Sequence, residues 1–213
     1  MLTAALANQA LGLAHNLPSA AAASRNKYHM RQLLREAGLQ VPWFACFPLQ
    51  ADPESLQHEA PYPCVLKPLA LSASRSVMRA NTPHEFVQAF WRLRALLETP
   101  EIRLKQDDAH DAVLVETFIP GTEVALEGLL TAGRFEVLAL FDKPDPLDGP
   151  YFEETLYITP SRLPLETQEA IAHSTAQAAR ALGLTHGPLH AELRLNQAGP
   201  WVLEVAARSI GGL

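Results

Sequence analysis

The chain has 213 residues, 48% of them hydrophobic, with 17 Lys and Arg against 23 Asp and Glu and a formal charge of -6. That is enough apolar residue to bury a sizeable core in one large domain or two small lobes. The scattered cations form no basic stripe, which argues against a nucleic-acid groove or an anionic membrane surface and leaves a small anionic ligand open. Cys46 and Cys64 have no metal-ligand spacing and fit a reducing compartment better than a disulfide framework. The opening stretch, MLTAALANQALGLAHN, lacks a basic n-region and is too polar for a membrane span, so the expected location is cytoplasmic. Nothing in the composition speaks to oligomeric state.

In chain order, residues 3–14 read as a helix, broken by Asn16 to Pro18 before a run of small residues, Ala20 to Ala23. A second helix is predicted over 25–37, capped by Ser24, with Met30, Leu33, Leu34 and Ala37 at helical spacing and Gly38 as its stop. A strand through Trp43 to Phe47 follows. Asp52-Pro53 opens a short helix, and a buried strand covers Cys64 to Lys67. Small polar residues make Leu71 to Ser76 a loop ahead of a strand at Val77 to Ala80. Thr82-Pro83-His84-Glu85 is a capping box opening a helix to about Leu97, and residues 99–111 read as a loop.

The second half is a meander. Strands are expected at Ala112 to Ile119, Glu123 to Leu130 and Arg134 to Phe141, then a Pro- and Gly-rich excursion over 142–153 of the kind that forms binding loops. A strand at 154–159 precedes a helix over 165–182, stopped by Gly183. This order argues for an α+β fold of two lobes meeting near residue 117.

The last stretch, Gly187 to Arg208, reads as a hairpin turning at Asn196 to Gly199. Strict alternation puts Leu189, Ala191, Leu193, Leu195, Trp201, Leu203, Val205 and Ala207 on one face. The other carries His190, Glu192, Arg194, Asn196, Val202, Glu204, Ala206 and Arg208. With the turn centred on Ala198, Glu192 stands opposite Glu204. Two carboxylates that close repel unless a cation or proton lies between them. Either a divalent metal joins them, or a shifted register lets them miss each other.

Five segments in order, NKYHMRQLLREAGLQVP, PCVLKP, LSASRSV, LVETFIPGTEVALEGLL and HAELRLNQAGPWVLEVAARSIGGL, resemble the ATP-grasp family, particularly its amino-acid-ligase-like and biotin-carboxylase-like members. The resemblance implies the ATP-grasp fold, an ATP held between two α+β lobes, and an ADP-forming ligase joining a carboxylate to an amine or thiol through an acyl phosphate. Its small-molecule substrates would be a carboxylic acid and an amine. The implied divisions are residues 1–23 as the tail of a preceding domain, 24–117 as the lid lobe, and 118–213 as a metal-binding lobe that stops in mid-motif.

Residue by residue, the resemblance implies phosphate contacts for Lys27 and Lys67, with Ser74 and Arg75 in the lid loop. Backbone groups of Glu116, Thr117, Phe118 and Ile119 would read the adenine edge, with Phe118 more a core residue than a base-stacking one. Glu123 would accept the ribose hydroxyls, since a carboxylate offers acceptors and a diol supplies donors. Glu192 and Glu204 would hold magnesium, or manganese in its place. Lys67 and Arg208 would stabilise the transferring phosphoryl group, His190 would touch substrate or a metal ligand, and Lys143 would close over the acceptor. Two departures bear on turnover: the lid loop has no glycine, and Ala206 replaces an asparagine common in the family. They favour the rival reading, a nucleotide-binding regulatory module without turnover.

Overall fold

A computed structural model describes residues 1–72, 74–152 and 156–211. The elements in chain order are α1 (Leu2–Ala10), α2 (Pro18–Ala23), α3 (Lys27–Glu36), β1 (Phe44–Pro48), α4 (Pro53–Leu56), β2 (Cys64–Pro68), β3 (Met78–Ala80), α5 (Pro83–Leu97) and α6 (Pro100–Arg103). A single 3-10 turn at Asp108–His110 precedes β4 (Ala112–Thr117), β5 (Thr122–Thr131), β6 (Arg134–Lys143), α7 (Leu165–Ala181), β7 (Gly187–Asn196) and β8 (Gly199–Ala206). The strands form two antiparallel sheets, ordered β1-β4-β2-β3 and β6-β5-β7-β8. The class is α+β.

Each sheet buries one face under a helix. In the first, Cys64 and Leu66 of β2 and Val113 and Val115 of β4 share a core with Phe86, Phe90 and Leu93 of α5. In the second, Leu189, Ala191 and Leu193 of β7 and Val202 and Val205 of β8 pack with Ile171 and Ala178 of α7. Strand alternation then turns Val65, Lys67 and Glu116 of the first sheet, and His190, Glu192 and Arg194 of the second, into a common cleft. Helix α3 seats Met30 and Leu34 in the second core.

Several expectations shift on local chemistry. Asn26, not Ser24, caps α3, its side chain accepting from Tyr28 and His29 N–H at 3.1 Å. The small-residue run is a helix, α2, in which Ala20, Ala21 and Ala23 are buried. Thr82 caps α5 as read, but Glu85 reaches back to Asn81 N–H at 2.8 Å. Residues 99–111 contain α6 and the 3-10 turn, Pro100 opening the helix one residue after its Thr99 cap position. Of the strand expected at 154–159, residues 154 and 155 lie outside the described residues. The rest makes one isolated bridge, Ile158 with Asp142.

Candidate functional site

The cleft between the sheets holds about 870 Å³ of space, part of it open to solvent. Its floor is the β7–β8 hairpin, whose register differs from simple alternation in an instructive way. The turn pairs Asn196 with Gly199 and so Leu193 with Val202, a register that continued unbroken would set Glu192 against Leu203. A β-bulge after Leu193 inserts Leu203 instead, and Glu192 meets Glu204. The expected carboxylate pairing therefore holds, but by a different route. Val202 is in the core, and Leu203 joins Glu204 at the cleft, the reverse of the predicted faces.

The repulsion between these carboxylates is relieved by lysines from opposite sides. Lys27 Nζ lies 3.1 Å from Glu204 Oε2 and donates to the Leu71 carbonyl at 2.9 Å. Lys143 Nζ lies 3.5 Å from Glu192 Oε1. Burial pushes the Glu204 carboxyl up, but Lys27, Lys67 and Arg208 together outweigh it and hold its pKa below the ordinary range. His190 sits between Glu127 and Glu192, its Nε2 3.3 Å from Glu192 Oε1 and its Nδ1 hydrogen-bonded to Glu127. Burial opposes its protonation, yet the two glutamates raise its pKa. Arg208 lines the cleft rim and donates to the Ser209 carbonyl.

On the opposite wall, Lys67 is buried and its ammonium rests on Glu116, whose other partner is Arg31. The Glu116 side chain is thus an internal counter-ion rather than an outward-facing residue. Burial raises its carboxyl, Arg31 and Lys67 lower it, and the cations win. Thr117, Phe118 and Ile119 line the cleft, but part of their backbone is engaged within the protein. Thr117 N–H bonds Trp43 at 3.0 Å, Phe118 N–H bonds Pro63 at 2.9 Å, and the Ile119 carbonyl accepts from Arg194 at 2.9 Å.

Glu123 lines the cleft with both oxygens held: Lys143 Nζ at 2.8 Å and Arg194 Nε at 3.1 Å. Lys143 is not a loop residue closing over an acceptor. It ends β6 and is buried, because β6 runs two residues further than its apolar pattern indicates. Arg194 was not singled out as a site residue by the sequence reading. It is buried, bonds the Leu147 carbonyl, and lies under the Phe118 and Phe152 rings at 4.9 and 5.6 Å, respectively. An arginine on an alternating strand between two glutamate-bearing neighbours was the available signal. Arg31 gave a weaker one, since a helical arginine is ordinarily exposed.

In the loop that follows Leu71, Ala73 lies outside the described residues. Ser74 lines the cleft, whereas Arg75 does not; it turns outward to Glu101 at 3.2 Å, where an exposed partner at the start of α6 is within reach. Ser74 and Ser76 adopt φ of 47° and 58°, a left-handed conformation that glycine accepts without strain.

A sequence description of the ATP-grasp domain matches residues 60–213. The chain belongs to the ATP-grasp family. Carnosine synthase 1 of Gallus gallus is 34% identical over 157 residues, 71% of this chain and 16% of its own length. The alanine–anticapsin ligase of Bacillus subtilis (strain 168) is 27% identical across 97% of this chain and 46% of its own. Among solved structures, an L-amino acid ligase from Bacillus licheniformis superposes with a TM-score of 0.84 at 34% identity, over 98% of this chain and 48% of that one. This ATP-grasp chain thus spans about half, or less, of these relatives' length.

Proposed function

We propose that this chain supplies the ATP-binding lobes of an ADP-forming ligase that joins a small carboxylic acid to an amine. The observation carrying this reading is the convergence, in one cleft, of Lys27, Lys67, Glu192, Glu204 and Arg208 from α3, both sheets and the segment after β8. Related ligases named for amino-acid substrates support the same reading. Residues 24–117, apart from α3, which packs in the second core, would act as the lid lobe and 118–213 as the metal-binding lobe.

The donor set fits magnesium. Glu192 and Glu204 offer hard carboxylate oxygens side by side, and Mg2+ is ordinarily held by one or two carboxylates together with substrate phosphates. When bound, the ion would neutralise charge on the phosphate oxygens. Lys67 positions the phosphates from the first sheet, and Lys27 from α3 beside the floor. Arg208 faces the γ-phosphoryl group as it passes from ATP to the substrate carboxylate, leaving ADP and an acyl phosphate from which the attacking amine displaces inorganic phosphate. No residue serves as a covalent nucleophile, so the protein works by positioning and electrostatics.

Replacing Glu204 by Gln tests the assignment. ATP binding in magnesium is expected to weaken at least tenfold, with metal-free nucleotide binding little changed; equal magnesium dependence in both proteins would sink it. The strained serines at 74 and 76 favour a second reading, an ATP-binding module without turnover. ATP binding with no phosphate release across a panel of amino acids, assayed on the full-length protein, would select it.

A further inference from the structure

Arg31 has no place in the chemistry above, yet its side chain is completely buried and fully engaged. Nη1 donates to the Val202 carbonyl and Nη2 to the Leu203 carbonyl, each at 2.9 Å, while Nε and Nη2 face the Glu116 carboxylate. Val202 and Leu203 are the residues at the β8 bulge. A bulge interrupts the ladder and leaves backbone groups unpaired, and a buried carbonyl without a donor is costly. β8 is also the edge strand of its sheet, so carbonyls there that turn away from β7 need other donors, and the guanidinium fork supplies them to Val202 and Leu203 from a neighbouring helix.

One turn earlier on the same helix face, Lys27 holds Glu204 itself. Successive residues 202, 203 and 204 are therefore gripped from α3, and the far end of the same network is Lys67 through Glu116.

We propose that Arg31 is a positioning residue: it seats the Leu203 bulge so that Glu204 stands opposite Glu192, and ties that floor to Lys67 on the other wall. This rests on reading Glu192 and Glu204 as the magnesium pair. It assigns Arg31 no contact with nucleotide or metal.

Arg31→Lys is the informative variant, because an ammonium keeps the charge beside Glu116 but cannot fork onto two carbonyls. Two measurements apply. Backbone amide exchange over residues 199–206, without nucleotide, is expected to accelerate at least tenfold relative to residues 122–131. ATP affinity in magnesium is expected to fall at least tenfold, with metal-free affinity within about threefold of the parent, a split that uniform loosening would not produce. Faster exchange with an unaltered magnesium response overturns the positioning role and leaves the ligase reading standing. A parent protein whose ATP binding ignores magnesium fails the ligase reading, and the positioning role with it. If Arg31→Lys does not fold, nitrogen-15 spectra of the parent decide. Resolved Nη hydrogens on Arg31 support a locked fork, and a freely rotating, averaged guanidinium overturns it.

Discussion

Glu116 is the residue whose loss the fold should tolerate least. Its carboxylate is buried between Arg31, which is fully buried, and Lys67, which is nearly so. Glu116→Gln keeps the volume, so no cavity opens, but two cations lose their charge partner. Removing one member of a buried ion pair typically costs about 3–5 kcal/mol. For a chain of this size, about 1 kcal/mol moves the melting temperature by roughly 2–4 °C, so a drop of about 6–20 °C is expected. Scanning calorimetry at neutral pH measures it. A triple variant, Arg31→Met, Lys67→Met and Glu116→Leu, replaces the network with apolar groups of similar size and should recover only part of that stability, because the Val202 and Leu203 carbonyls lose their donors, while losing ATP binding. A single Glu116→Gln variant melting within about 2 °C of the parent would refute the idea that these charges depend on each other.

Three further expectations follow from the same structure. Because Glu116 has a folded pKa below its ordinary 4.5, its stabilisation is complete above that value and is lost as pH falls through the folded pKa. The melting difference between parent and Glu116→Gln should therefore shrink as pH is lowered past 4.5. Replacing Ser74 and Ser76 by Gly relieves left-handed backbone worth roughly 1–2 kcal/mol per residue, offset in part by glycine's greater freedom when unfolded, so a net gain of about 1 kcal/mol is expected in chemical denaturation. Gly121→Ala places a Cβ 2.0 Å from the Leu195 carbonyl oxygen at a φ of +124°, and a loss of about 3 kcal/mol or more should appear in the same assay.

Much of the fold was legible because period-2 and period-3.6 patterns report which face is buried, and here both sheets have one apolar face. Capping chemistry located α5 through Thr82 and Pro83. What alternation could not reveal was the bulge: one inserted residue exchanges Val202 and Leu203 between faces while leaving the glutamates paired. Alternation paired Glu192 with Glu204 and the family resemblance named Lys27, but neither could distinguish a solvated side chain from one whose partner lies elsewhere in the sequence. Arg31 reaches residues 202 and 203, and Arg194 reaches Ile119 and Leu147; such long-range pairings leave no local trace. The outward turn of Arg75 was equally invisible, since its partner Glu101 belongs to a helix the sequence suggested was a loop.

The excursion after β6 has a consequence unrelated to ligands. Strand β3 borders its sheet, and an open border is a template onto which another molecule's strand can add. Here Tyr151 bridges Met78, Arg79 N–H bonds the Pro150 carbonyl at 2.9 Å, and the Arg79 guanidinium bonds Asp148 at 2.8 Å. The chain thus seals its own border with a segment sent across from the other sheet. Shortening that segment would do more than reshape the cleft: it would uncover a sticky seam and favour self-association of the protein.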